Sequence, residues 1–148
     1  MRYLIKFSYD GTRFHGFQRQ NDVKNVQGTL ENVLSSVLKS NILIKGSGRT
    51  DAGVHANMQC AHFDYDGKVS NNDIDKINIL LNNEIAINKI SVVNNDFHAR
   101  HNVKKKMYVY KINNGKYKKE YEGYYYQVKY NFDIKKMKKA SKMLNGTH

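Results

Sequence analysis

Cysteine is almost missing from this chain, with one residue, Cys60, among 148. No intramolecular disulfide can form, as expected for a protein of a reducing cytoplasm. Proline is absent altogether, while asparagine, lysine and isoleucine are abundant; this reads as compositional bias rather than a structural device. No apolar run approaches the length of a membrane span, so no membrane association is expected. Met1-Arg2-Tyr3-Leu4-Ile5-Lys6 is broken by charge too early for the apolar region of a signal peptide. Metal-ligand spacings are missing too. There is no C-x-x-C or H-x-x-x-H; His55 and His62 flank a strand, and His98, His101 and His148 are scattered, so no metal is expected. No internal repeat or linker interrupts the chain, and the 40% hydrophobic content exceeds that of disordered sequences. One α+β domain over residues 1–148 is the expected organisation.

Acidic residues are also few, 13 against 25 Lys and Arg, for a net charge of +12. The excess is lopsided. Residues 1–74 hold 9 basic and 7 acidic residues, net +2, so residues 75–148 hold 16 and 6, net +10. A one-sided positive field suits a polyanionic partner, nucleic acid above all, although lysine can also serve solubility alone.

What the chain does have is a glycine-rich stretch, Gly46-Ser47-Gly48-Arg49-Thr50-Asp51-Ala52-Gly53-Val54-His55. Glycines let a loop take positive φ or approach a ligand closely. The stretch satisfies neither phosphate motif. It lacks G-x-x-x-x-G-K-[ST], and Asp51 stands where a dinucleotide fingerprint needs its third glycine. Its two readings are an active-site loop carrying the Asp51 carboxylate beside the Arg49 guanidinium, and a tight turn whose aspartate caps an amide.

Around this stretch the chain reads as alternating elements. Tyr3, Ile5, Phe7 and Tyr9 alternate with Leu4, Lys6 and Ser8 as a strand ending in Asp10-Gly11-Thr12. In the polar loop that follows, Arg13, His15 and Arg19 suit either phosphate contact or plain surface. Asn25 is the expected N-cap of a helix with a stripe of Val26, Leu30, Val33, Leu34, Val37 and Leu38. Ile42–Ile44 and Met58–Phe63 are the strands entering and leaving the glycine loop. Ser70 and Asp73 form a near capping box for a helix facing inward through Ile74, Ile77, Leu80 and Leu81. Ile85–Val93 closes a β-α-β-β-α-β order, that of a ferredoxin-like unit. Lys104–Ile112 and Tyr124–Val128 should extend the antiparallel sheet. A last helix from Asp133 should bury Ile134, Met137, Ala140 and Leu144 before Asn145-Gly146. Residues 104–130 carry 8 of the 11 tyrosines, and 104–119 seven lysines with no acid, a mixture suited to phosphate attraction and base stacking.

Several of these stretches resemble one family. Gly48-Arg49-Thr50-Asp51-Ala52-Gly53-Val54-His55-Ala56 is similar to the signature of the tRNA pseudouridine synthase A family. Tyr9-Asp10-Gly11-Thr12-x-Phe14-x-Gly16-x-Gln18, Val26-Gln27-Gly28-x-Leu30-Glu31, Phe97-His98-Ala99-Arg100 and Lys106-x-Tyr108-x-Tyr110 resemble its other motifs, in the family's order. The resemblance implies isomerisation of uridine to pseudouridine at positions 38 to 40 of the tRNA anticodon stem-loop, without cofactor or metal. Asp51 matches the catalytic aspartate, acting as nucleophile or base, either on the base or at the sugar. Tyr108 matches the active-site tyrosine that stacks on the flipped uracil, and Arg49 would hold the substrate backbone. Arg13, Gln18, Arg100, Lys104, Lys105 and Lys106 are the expected nucleic-acid contacts. Family members act as homodimers and continue past Gly146-Thr147-His148 into a second α+β half. The chain thus reads as an N-terminal catalytic half, inactive alone. The other reading is a non-catalytic RNA-binding module built on the ferredoxin-like sheet. Asp51 separates the two, since stacking and phosphate contact have no use for a carboxylate.

Overall fold

The structure is a computed structural model and describes residues 1–147. It resolves into two compact units, Met1–Lys106 and a second that begins at Met107.

In the first unit, the alternation of the opening residues becomes β1 (Arg2–Tyr9), with Tyr3, Ile5, Phe7 and Tyr9 buried and the residues between them half-buried. α1 (Val26–Leu38) starts where Asn25 accepts the Gly28 amide at 2.8 Å and buries Val26, Leu30, Leu34 and Leu38. β2 (Lys45–Gly46) and β3 (Ala56–Asp64) flank the glycine loop. α2 (Asn71–Leu80) carries the full capping box of Ser70 and Asp73, and β4 (Ile85–Val93) follows. The sheet order is β2-β3-β1-β4, with every neighbouring pair antiparallel. This is the expected ferredoxin-like arrangement, with β3 inserted between the two strands joined through α1. The inward side chains of β1 and β3 share one apolar core with α1 and α2. The other face of the sheet carries Leu4, Lys6, Cys60 and His62, which pair across β1 and β3.

Two expectations here need correction. Ile42 and Ile44 are buried, but they precede the strand rather than form it. Their amides are taken by side chains of α1, Ile42 by Ser35 Oγ at 2.9 Å and Ile44 by Glu31 Oε1 at 3.0 Å. With those donors satisfied, ladder pairing begins only at Lys45. On α2, Leu80 points outward, 55% exposed, while Ile77 and Leu81 hold the core.

The second unit differs from the sheet extension expected of it. Lys104–Ile112 and Tyr124–Val128 contribute only β5 (Ile112–Asn113) and β6 (Tyr126–Gln127), paired in parallel as a separate two-stranded sheet. α3 (Ile134–Ser141) begins where Asp133 accepts the Lys136 amide at 3.0 Å. It buries none of the apolar residues expected to face a core: Ile134, Met137 and Leu144 are all exposed. Local contacts of Tyr121 stacked on Tyr125, with Lys118 and Lys111 over these rings, organise the middle of the unit.

Candidate active site

Two independent ties make the glycine loop a defined shape. The first is at its entry. The Ser47 amide donates to the Cys60 carbonyl at 2.8 Å, and Ser47 Oγ donates to Gln59 Oε1 at 2.7 Å. Gln59 Nε2 then donates to the Gly48 carbonyl at 3.1 Å. One side chain of β3 thus holds both ends of the Ser47-Gly48 step. Gly46 packs against the Phe17 ring, and a Cβ there would sit 2.6 Å from a ring carbon. Any other residue would push the ring away.

The second tie is the loop of residues 14–17, docked on the start of α1. The Phe17 amide donates to the Thr50 carbonyl at 3.0 Å and the Gly53 amide to the Phe14 carbonyl at 3.3 Å. On the other side, Val26 and Gln27 donate to the carbonyls of Gly16 and Phe17. Tyr9, 5% exposed at the end of β1, hydrogen-bonds Thr50 Oγ1 at 2.8 Å. Burial pushes its phenol up, which keeps it neutral as a partner for a hydroxyl.

Between the anchored residues Thr50 and Gly53 stands Asp51. A turn closes behind it, with the Val54 amide on the Asp51 carbonyl at 3.2 Å and Gly53 at φ +78°. The Asp51 and Arg49 side chains are exposed, and the carboxylate makes no hydrogen bond or ion pair among the described residues. The backbone is fixed on both sides while the acid points free. No backbone amide among the described residues is capped by this carboxylate. Below it, Asp10 Oδ1 lies 3.2 Å from Nδ1 of His55, beside the Gly11 amide.

The other expected site residues divide into groups. Lys106 reaches the loop directly, its Nζ donating to the Ser47 carbonyl at 2.9 Å. Gln18 is exposed, next to the buried Phe17. Arg13 is exposed near Glu84, at 3.5 Å. Arg100, Lys104 and Lys105 are exposed on the segment leading to Lys106. Tyr108 belongs to the second unit and is 83% exposed there.

The sequence reading missed three supports: Gln59, Tyr9 as a loop anchor, and His62. Three of the histidines, His62, His98 and His101, are gathered, while His55 lies beside Asp10 and His148 lies outside the described residues. The rings of His62 and His98 have centroids 4.6 Å apart, and those of His98 and His101 4.3 Å. Among the described residues no three His, Cys, Asp or Glu groups are disposed to hold a metal ion, and no helix is long and apolar enough to cross a membrane.

A glycine loop pinned to a ferredoxin-like sheet and presenting one acid defines a class, and comparison with known proteins names it. The family described as tRNA pseudouridine synthase matches residues 5–102, and the chain belongs to that family. It is 42% identical over 151 residues to tRNA pseudouridine synthase A of Lactobacillus helveticus (strain DPC 4571), covering 99% of this chain and 57% of that protein. Proteins of the same name from Limosilactobacillus reuteri (strain DSM 20016) and Fervidobacterium nodosum are 43% and 42% identical, with 59% and 61% of their length covered. The chain therefore spans about three-fifths of the length of the curated relatives it matches.

Proposed function

We propose that this chain is the N-terminal, catalytic half of a cytoplasmic tRNA pseudouridine synthase that isomerises uridine at positions 38 to 40 of the anticodon stem-loop. The bond between N1 and the sugar C1′ breaks, the base turns, and a bond from C5 to C1′ forms. N1 gains a proton and C5 loses one, so the change is an isomerisation with no net hydrolysis or redox step. Asp51 is the nucleophile or base, and the observation that carries this reading is its exposed carboxylate on a loop tied at Ser47, Gly48, Thr50 and Gly53. Its rigid seat supplies orientation, which converts a slow encounter into a positioned reaction.

Reaching the bond requires extruding the uridine from the stem-loop, at a cost of a few kcal/mol. Stacking on Tyr108 and a backbone contact from Arg49 offset that cost. Arg13, Gln18, Arg100 and Lys104–Lys106 contact the RNA backbone. A second α+β half completes the cleft, the complete protein works as a homodimer on tRNA, and this chain alone is inactive.

The test joins this chain to the remaining portion of a relative and measures tritium release from tRNA labelled at C5 of uridine. Asp51→Asn should abolish release while tRNA binding persists or tightens, since one negative charge is gone. Release kept within about tenfold of wild type, ~1.4 kcal/mol on the barrier, would sink the assignment. Binding without turnover by the unmutated fusion would favour the non-catalytic RNA module instead.

A further inference from the structure

The turn after β4 is held by imidazoles. The Ala99 amide donates to Nδ1 of His62 at 3.1 Å, and the Arg100 amide to Nδ1 of His98 at 3.2 Å. Two consecutive backbone donors thus end on unprotonated ring nitrogens. His62 is 1% exposed, with its ring edge-on to Phe97. Because Nδ1 accepts, the proton of the neutral ring sits on Nε2, which has no hydrogen-bond partner among the described residues. A buried ring with one orphaned N–H is a costly occupant, and the acceptor at Nδ1 is what it offers in return.

The same segment is tied at two further points. Arg2 Nη1 donates to the carbonyls of Asn95 and Phe97 at 2.6 and 3.0 Å, while its Nε and Nη2 take both oxygens of Asp64. At the far end Lys106 holds the Ser47 carbonyl. Between these ties lie Arg100, Lys104 and Lys105, all exposed. The basic segment is a strap fixed beside β1 and β3 at one end and at the glycine loop at the other.

We propose that His62 is a positioning residue which, as a neutral acceptor for Ala99, sets the strap so that Arg100, Lys104 and Lys105 meet the RNA backbone beside the glycine loop. The RNA part of this proposal rests on the function proposed above. The charged and titratable groups facing His62 are Arg2, Lys45, Asp64 and His98, with His101 and Arg100 behind His98. Burial first, then the neighbouring positive groups, bring the His62 pKa down to about 4. The tie therefore persists across the neutral range and fails in acid, when a proton on Nδ1 removes the acceptor.

Two substitutions test this in the 148-residue chain. His62→Asn places Oδ1 where Nδ1 was and cannot titrate; His62→Leu fills the space with no acceptor. Hydrogen-exchange protection of the Ala99 amide should fall about tenfold in His62→Leu, the equivalent of one hydrogen bond. It should stay at the wild-type level in His62→Asn. Between pH 6 and pH 4 the wild type should lose about half of that protection, as the ring becomes half protonated near its pKa of about 4, and His62→Asn should keep it, a contrast that stands even if His62→Leu fails to fold. With a fluorescent anticodon stem-loop RNA as probe, His62→Leu should bind more weakly with a flatter salt dependence, and His62→Asn like wild type. Unchanged Ala99 protection in His62→Leu, or parallel pH profiles of wild type and His62→Asn, would overturn the tie. Altered protection with unaltered RNA affinity would overturn the presentation role. Failure of the wild type to bind the RNA at all would refute the proposed function and that role together, while the exchange data would still stand for the tie.

Discussion

The two units handle apolar side chains in opposite ways. Residues 1–106 put Tyr3, Ile5, Phe7, Leu30, Leu34, Phe63 and Ile77 into one core at 3% exposure or less. From Met107 on, Met107, Tyr108, Val109, Tyr110, Met143 and Leu144 are all more than two-thirds exposed. Local sequence signals are as good in the second unit as in the first: α3 has an N-cap aspartate and an apolar stripe. What differs is whether the described residues cover the stripe. Amphipathic pattern creates a demand for burial, and only topology meets it.

The largest expected effect follows directly. Phe7→Ala, at 0% exposure in β1, should cost about 3–5 kcal/mol by loss of buried area and creation of a cavity. Met143→Ala, at 80% exposure, should change stability by no more than about 0.5 kcal/mol. Urea denaturation midpoints decide this, and comparable costs at both sites would break the comparison.

A second effect sharpens it, since buried titratable groups also belong to the first unit. His62 has a folded pKa of about 4 against an ordinary value near 6.5. The unfolded chain therefore takes up this proton first as the pH falls. Stability contributed by the neutral ring is complete above about pH 6.5 and is lost progressively toward pH 4, by up to about 3 kcal/mol. His98, also lowered by burial and by His101, acts in the same direction. Asp64 and Glu84 are held below the usual carboxylate range by Arg2 and Lys24, so their losses come at still lower pH. His62→Asn should flatten the stability profile between pH 6.5 and pH 4 and leave the region below it acid-sensitive. A wild-type profile that is already flat over that interval would contradict the burial argument.

How much of this was legible beforehand varies with the range of the interaction involved. The α1 stripe and the Ser70–Asp73 capping box lie within one turn or one helix, and both were readable from residue spacing. The glycine loop was readable as a candidate site because Asp51, Arg49 and three glycines are unusual company within ten residues, with a tight capped turn as the other reading. Ile42 and Ile44 misled because an apolar run says that residues are buried, not what takes their amides; here Glu31 and Ser35 do. The strand pattern of 104–112 misled for a related reason, since alternation forms a strand only where a neighbouring edge accepts it. The histidine cluster was illegible. It depends on the register that pairs Leu4 with His62 and on a turn about forty residues away in sequence, and no spacing rule encodes that.

The smallest effect compares like with like, one helix cap from each unit. Asn25 is 5% exposed. It accepts the Gly28 amide, and its Nδ2 donates to the carbonyls of Gln20 and Val23 at 3.2 and 2.8 Å. It therefore ties α1 to the loop on which the glycine loop rests, and Asn25→Ala should lower global stability by about 1–2 kcal/mol. Asp133 also accepts an amide, from Lys136, and Lys136 Nζ lies 3.7 Å from its carboxylate, but both side chains are exposed and the helix buries nothing. A helix of eight residues without a packed face is close to marginal, so its cap matters to the helix and hardly at all to the fold. Asp133→Ala should reduce amide protection in α3 by about fivefold, ~1 kcal/mol, while the denaturation midpoint reported by the α1 amides stays where it was. If instead Asp133→Ala moved that midpoint as far as Asn25→Ala does, the two units would be unfolding as one. The contrast between a covered and an uncovered apolar face would then have no energetic meaning.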